Sequence, residues 1–151
     1  MTTWADFAAD QPELADRVRQ CFAIRKHATL ATSRRDGSPR ISGTEVQFAD
    51  GEIYLGMMPG SLKALDLRTD PRLALHCPTQ DPAENDPGSW LGDGKIAGRA
   101  REVSDPTRID EAHRFAIDVQ EVVHTRVGTP ADHLVIESWH PERGLQRRDR
   151  R

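Results

Sequence analysis

Residues 28–77 read "ATLATSRRDGSPRISGTEVQFADGEIYLGMMPGSLKALDLRTDPRLALHC". With His27 in front, "HATLATSR" has the composition of a strand, and "RDGSP" behind it carries an Asp-Gly suited to a tight hairpin. "PRISGTEVQF" runs to a second reversal at "ADGE", and "EIYLGMM" follows. There Ile53, Leu55 and Met57 fall on one side of a strand, and Tyr54, Gly56 and Met58 on the other. A Pro59-Gly60 turn then delivers Ser61 and Lys63 to the start of a short helix, Ser61 to Thr69, before the compact strand "RLALHC". Four short strands joined by tight links predict an antiparallel sheet.

The flanks extend this pattern. Residues 1–26 read as helix in two pieces, with Asp10 as N-cap and Pro12 in the first turn of the second. Leu14, Val18, Cys21 and Phe22 line one face of that helix. Residues 78–93, "PTQDPAENDPGSWLGD", have no periodicity and form a long loop, with Trp90 as its apolar anchor and a place beside the substrate pocket. "GKIAGRAREVS" is a fifth strand. Asp105 and Pro106 open a predicted helix with Ile109, Ala112, Ala116, Val119 and Val123 on one stripe, stopped by Gly128 and Pro130. "DHLVIESWH" is the sixth strand. The expected fold is a mainly β single domain over 1–151, a small closed or split barrel of six antiparallel strands with helices packed outside. Its parts are a helical segment (1–26), the barrel (27–141) and a basic tail (142–151).

Composition narrows the function. The net charge is -3, with 21 basic and 24 acidic residues, and no apolar run approaches the roughly 18 residues of a membrane span. The first residues, "MTTWADFAADQPELADR", carry acids where a signal peptide carries a basic head, so a cytoplasmic location is expected. Cys21 and Cys77 fit buried free thiols, and no Cys-x-x-Cys pair announces a structural zinc. The tail "RGLQRRDRR" is basic, but the body is acidic and lacks an aromatic-basic surface motif, which argues against nucleic acid. Arginine outnumbers lysine 18 to 3, as GC-rich codon usage produces.

The chemistry-bearing residues are few. A serine at a helix start, free first-turn N–H groups, the helix dipole and Lys63 together can seat a phosphate, although the same residues also make an ordinary capped helix. Gly43 and Gly56 lie inside strands, where glycine marks either a bulge or a close approach to the backbone. His113 and His124 share a face of the predicted late helix but stand too far apart to bind one metal. His76 and Cys77 are strand neighbours and so point to opposite faces, which argues against a metal site or a Cys-His pair. No carboxylate pair or catalytic base stands out, as befits a protein that borrows its reactivity from a cofactor.

The order of these features resembles the pyridoxamine 5'-phosphate oxidase-like family of FMN- and F420-binding split barrels. The shared pattern is Ala-Thr-Leu-Ala-Thr, Asp-Gly-x-Pro, two strands, Ser-x-Lys-Ala, Asp-Pro-Arg and a strand. It covers residues 27 to 105, and "GKIAGRAREVSDP" resembles the family's fifth strand. The resemblance implies a homodimer with cofactor at the subunit interface. It implies that Ser42, Gly43, Thr44 and Gln47, with Gly56, Met57 and Met58, flank the cofactor ring. The phosphate-binding Ser-x-Lys falls on Ser61, Leu62 and Lys63, which favours the phosphate reading, and Trp139 in "SWHPERGLQRR" is similar to a tryptophan that closes the site.

Departures from the true oxidases are also visible. Ser42 and Gln47 stand where they carry a basic pair, Leu62 where they carry a basic residue, and their Arg-x-His is missing. Oxidation of pyridoxamine phosphate itself is therefore not the expectation. The resemblance implies a flavin- or deazaflavin-dependent oxidoreductase, using FMN or coenzyme F420, that passes a hydride or electrons to or from a small organic molecule. GC-rich coding weighs toward F420, whose users are concentrated in such bacteria. The alternative is a non-catalytic binder of flavin or haem, with His76 or the late histidines as axial ligand.

Overall fold

In the computed structural model, which describes residues 1–105, 107 and 111–151, the 28–77 segment forms β1 (His27–Ser33), β2 (Pro39–Ala49), β3 (Glu52–Met57), helix α3 (Leu62–Thr69) and β4 (Arg72–His76). Helices α1 (Trp4–Asp10) and α2 (Pro12–Phe22) precede them. After a loop with a short 3-10 turn at Pro87–Ser89 come β5 (Asp93–Glu102), β6 (His113–Val127), β7 (Leu134–His140) and β8 (Gly144–Arg150). All strand pairs are antiparallel, in the order β3-β2-β1-β4-β5-β6-β7-β8. A further pairing of β3 with β6, Tyr54 opposite Ala116 through Met57 opposite His113, closes the first six into a barrel.

The six-stranded barrel is thus the expected one, but its sixth strand is not. The stretch expected to be a late helix is β6 from His113 onward, so Ala112 lies just before a strand and Ala116, Val119 and Val123 lie within it. Pro106 and Ile109 of that expectation fall outside the described residues. The helical spacing has a physical cause. At the join between Gly98 and Ala97 of β5 the register to β6 shifts, from Val119 to Glu121, so one residue of β6 is extra. Inward positions 115, 117 and 119 therefore give way to 122 and 124, and because Ala116 and Val123 on the opposite face are buried too, a three-to-four spacing runs through residues of both faces. The bulge requires its glycine, since a Cβ on Gly98 would stand 2.1 Å from the Asp118 carbonyl oxygen. The strand "DHLVIESWH" is β7, outside the ring, and the basic tail is β8, an edge strand whose exposed arginines discourage further pairing.

The core fills the barrel with Leu30, Ile53, Leu55, Leu75, Ile96, Phe115 and Ile117, and α1 and α2 extend it outward with Phe7, Leu14 and Val18. Thr3 starts α1 in a reciprocal capping box with Asp6. Pro12 does open α2, but the N-cap is Gln11, not Asp10. The Asp10 carboxylate instead accepts a 2.8 Å bond from Trp139 Nε1. α3 is fastened to the barrel through Asp66, which is buried and accepts from Thr32 Oγ1 (2.8 Å) on β1 and Arg40 Nε (2.7 Å) on β2. Among the described residues no helix is long and apolar enough to cross a membrane.

Candidate functional site

Alternation along β2 and β3 divides the expected site residues between two faces. Ser42 and Thr44 turn toward the barrel, Thr44 being fully buried, while Gly43, Glu45 and Gln47 face outward. On β3, Met57 is buried in the core, and Tyr54 and Gly56 face outward. Pairing puts Gln47 opposite Tyr54 and Gly56 opposite Arg114 of β6. This outer surface forms a cleft of about 930 Å³, to which Gln47, Gly56, Met57 and Met58 all contribute. Ser42, Gly43, Thr44, Ser61, Leu62, Lys63 and Trp139 are not part of its lining.

Lining residues that were not among the expected ones include Lys26, Tyr54 and Arg114. The Arg114 guanidinium lies 3.8 Å from the centre of the Tyr54 ring, a cation–π contact that holds a positive charge over the cleft wall. Tyr54 was visible in the sequence as the outward neighbour of Gly56, whereas Arg114 was hidden by the helical reading of its strand. The 78–93 loop, expected to shape the pocket, contributes nothing to this cleft, and Trp90 Nε1 donates instead to Gln80 O within the same loop. Trp139 is a core residue, packed 4.8 Å from Phe7 between ring centres.

Beside the cleft, Pro59 and Gly60 lead into α3. Ser61 is its N-cap by backbone geometry, with φ -60° and ψ 144°, but its side chain makes no capping bond. Among the described residues its Oγ is buried without any hydrogen-bond partner. Ordinary capping therefore does not account for the serine. Lys63 Nζ donates to the Gly43 carbonyl oxygen at 2.8 Å, which brings the first turn of α3 to the outward face of β2. Gly43 itself sits in unbroken register opposite Thr29, so it is no bulge, and a Cβ there would meet nothing within 4 Å. Gly56 likewise lies in continuous register. Leu62 is exposed.

A relay fixes the turn. The Gly60 N–H donates to His113 Nε2 at 3.0 Å, so that nitrogen is unprotonated and Nδ1 carries the hydrogen, which it gives to Glu102 Oε1 at 3.0 Å. Arg68 of α3 clamps the same carboxylate through two 2.8 Å bonds. The Arg68 guanidinium, aided by His113, holds the Glu102 carboxyl down at about 2.

Among the described residues His124 is engaged through one ring nitrogen only. Burial lowers the pKa of His124, whose Nε2 bonds the Leu91 carbonyl. None of His76, His113 and His124 lines the cleft. The expectation that His76 and Cys77 diverge does not hold. β4 ends at His76, and a nitrogen of His76, the Cys77 sulfur and an oxygen of Asp93 lie within 4.8 Å of one another.

A family model described as pyridoxamine 5'-phosphate oxidase matches residues 14–136, and the chain belongs to that family. Among solved structures it is similar to PhzG from Burkholderia lata in complex with tetrahydrophenazine-1-carboxylic acid (TM-score 0.66, 9% identity, 95% of this chain and 90% of that one). It is similar to a heme binding protein from Mycobacterium smegmatis (0.57, 17%, 93% and 88%) and to an F420 reductase (0.50, 11%, 68% and 92%). At such identities the likeness is one of fold. None of the curated proteins compared matches the sequence.

Proposed function

We propose that the chain binds a flavin-type cofactor, FMN or coenzyme F420, and serves as an oxidoreductase for a small organic molecule. The observation that carries this reading is the Ser61 hydroxyl, buried without a partner at the head of α3 and two residues from Lys63. A buried hydroxyl without a partner is costly, and a phosphate oxygen satisfies it. The first-turn N–H groups and the Lys63 ammonium offer further donors to the same anion. Gly43 leaves open space on the neighbouring strand, as a flat ring lying close to the backbone requires.

A flavin or deazaflavin, when bound, supplies the capacity to accept or donate a hydride. The protein's own residues bind, orient and exclude water. Ser61 and Lys63 would hold the phosphate, and the outward face of Gly43, Gln47 and Gly56 would support the ring. The Arg114 guanidinium, held over Tyr54, would face the electron-rich side of the bound system. The relay through His113 would keep the Gly60 turn in place while the phosphate is seated. The F420 reductase among the structural relatives supports redox chemistry on this fold.

The proposal includes a homodimer. The cleft is open on one side, and Met58, Leu62 and Leu65 around Ser61 are exposed apolar side chains that a second copy would cover. The test is titration of the purified protein with FMN and, separately, with F420, followed by cofactor and tryptophan fluorescence, alongside light scattering for mass. Stoichiometric binding of one of them, weakened about tenfold or more by Lys63→Ala, is the expected result. If neither binds, the reading is wrong.

A further inference from the structure

Where β4 ends and β5 begins, metal-ligating side chains from three elements converge. His76 and Cys77 leave β4, Asp93 opens β5, and Cys21 comes from α2, which packs so closely that a Cβ on Gly94 would stand 3.3 Å from the Cys21 Cβ. His76 nitrogen, Cys77 Sγ and an Asp93 oxygen lie within 4.8 Å of one another. The Cys21 thiol itself donates to the Leu91 and Gly92 carbonyl oxygens, each at 3.5 Å.

The hydrogen bonding in this cluster is incomplete in one direction. The Cys77 carbonyl oxygen can only accept, so the 2.7 Å contact from His76 Nδ1 fixes the hydrogen on that nitrogen. Nε2 is left to face Asp93 Oδ2 at 3.9 Å. Asp93 Oδ1 is buried and, among the described residues, without a partner. The Cys77 sulfur accepts from the Gly94 N–H at 3.1 Å. A nitrogen lone pair, a sulfur and a carboxylate with one unmet oxygen thus share one small volume. A cation placed among them satisfies all three.

We propose that His76, Cys77 and Asp93 form a three-ligand site for a borderline-soft divalent cation of the zinc class. Sulfur and imidazole ligands select against calcium and magnesium, which prefer all-oxygen sites. Zinc bond lengths of about 2.0–2.3 Å place tetrahedral ligands roughly 3.3–3.8 Å apart, so the present spacing contracts only modestly on binding. The His76 Nδ1–H to carbonyl bond is the outer hydrogen bond that orients metal-binding histidines. With three protein ligands the fourth position of a tetrahedral ion is left to water. The site joins the end of β4 to the start of β5 and so fixes both ends of the 78–92 loop.

The test is anaerobic titration of the reduced protein with Co2+, then Zn2+. One equivalent of Co2+ is expected to produce thiolate-to-cobalt charge transfer and the visible bands of a tetrahedral ion, both abolished by Zn2+. His76→Gln and Asp93→Asn should each weaken Zn2+ binding by about tenfold or more, with His27→Gln, on exposed β1 surface, unchanged. Zn2+ should also slow alkylation of Cys77 in the unmodified protein, a readout that needs no variant. A cobalt spectrum without charge transfer, affinity indifferent to His76 and Asp93, or alkylation of Cys77 at an unchanged rate would overturn the assignment.

Discussion

Lys63 Nζ reaches across 2.8 Å to the carbonyl oxygen of Gly43, tying the first turn of α3 to a strand segment that presents no side chain. Among the described residues the cation pairs with no carboxylate. It rests on a neutral oxygen, from which an incoming phosphate can draw it, because two opposite charges attract more strongly than a charge and a carbonyl dipole.

Ser61 separates cofactor binding from folding with particular clarity. Its hydroxyl is buried and makes no bond, so it contributes a desolvation penalty to the free protein. Ser61→Ala should leave thermal stability unchanged or raise it by up to about 1 kcal/mol, while lowering cofactor affinity about tenfold. Thermal melting and fluorescence titration of one preparation measure both. A loss of stability with affinity intact would mean that the serine serves the helix alone.

Gly43 makes the complementary case for the ring. With open space where a Cβ would project and no bulge in the register, Gly43→Val should fold at least as well as the parent, gaining up to about 1 kcal/mol from strand propensity. The isopropyl group would then occupy the space needed by a ring against the strand, and binding should fall below detection. Unimpaired binding by Gly43→Val would place the ring elsewhere.

How much of this was legible depended on whether one period ruled a segment. β2 and β3 alternate cleanly and are bounded by Asp-Gly turns, so both the strands and the split between Tyr54/Gly56 and Leu55/Met57 followed from sequence. β6 broke the rule because both its faces carry buried residues and the Gly98 bulge shifts its phase midway, so Ala116, Val119 and Val123 imitate a helical stripe without sharing a face. Its density of β-branched residues, Ile117, Val119, Val122, Val123, Thr125 and Val127, was the contrary signal. That single misreading hid Arg114 and the role of His113. The His76, Cys77 and Asp93 cluster was hidden for a different reason: strand alternation was carried one residue past the end of β4.

Asp66 should prove the most costly of the polar residues to lose. It is buried, and both Thr32 and Arg40 direct their donors to the same oxygen. Asp66→Ala leaves a partly buried guanidinium and a buried hydroxyl without their acceptor. A loss of about 2–3 kcal/mol in denaturant unfolding is expected. Because α3 carries Ser61 and Lys63, cofactor affinity should fall as well. Loss of stability without loss of affinity would show that the helix keeps its place without this anchor.

Glu102 gives the turn a pH dependence whose sign can be stated. Its carboxyl is lowered from about 4.5 to about 2, first by the Arg68 clamp and then by His113. The native state therefore takes up this proton less readily than the unfolded chain. The resulting stabilisation is complete above about pH 4.5 and is lost as pH falls from there through about 2. Other carboxyls, among them Asp70, are lowered too, so the acid melting curve of the parent alone does not isolate the effect. The difference between parent and Glu102→Gln does. The amide can still accept from His113 Nδ1, so the substitution removes the charge facing Arg68 while retaining an acceptor for the relay. The parent should melt higher than the variant near pH 6, and the gap should close between pH 4.5 and 2. A gap that stays constant across that window would mean that the Arg68–Glu102 clamp contributes through shape and not through charge.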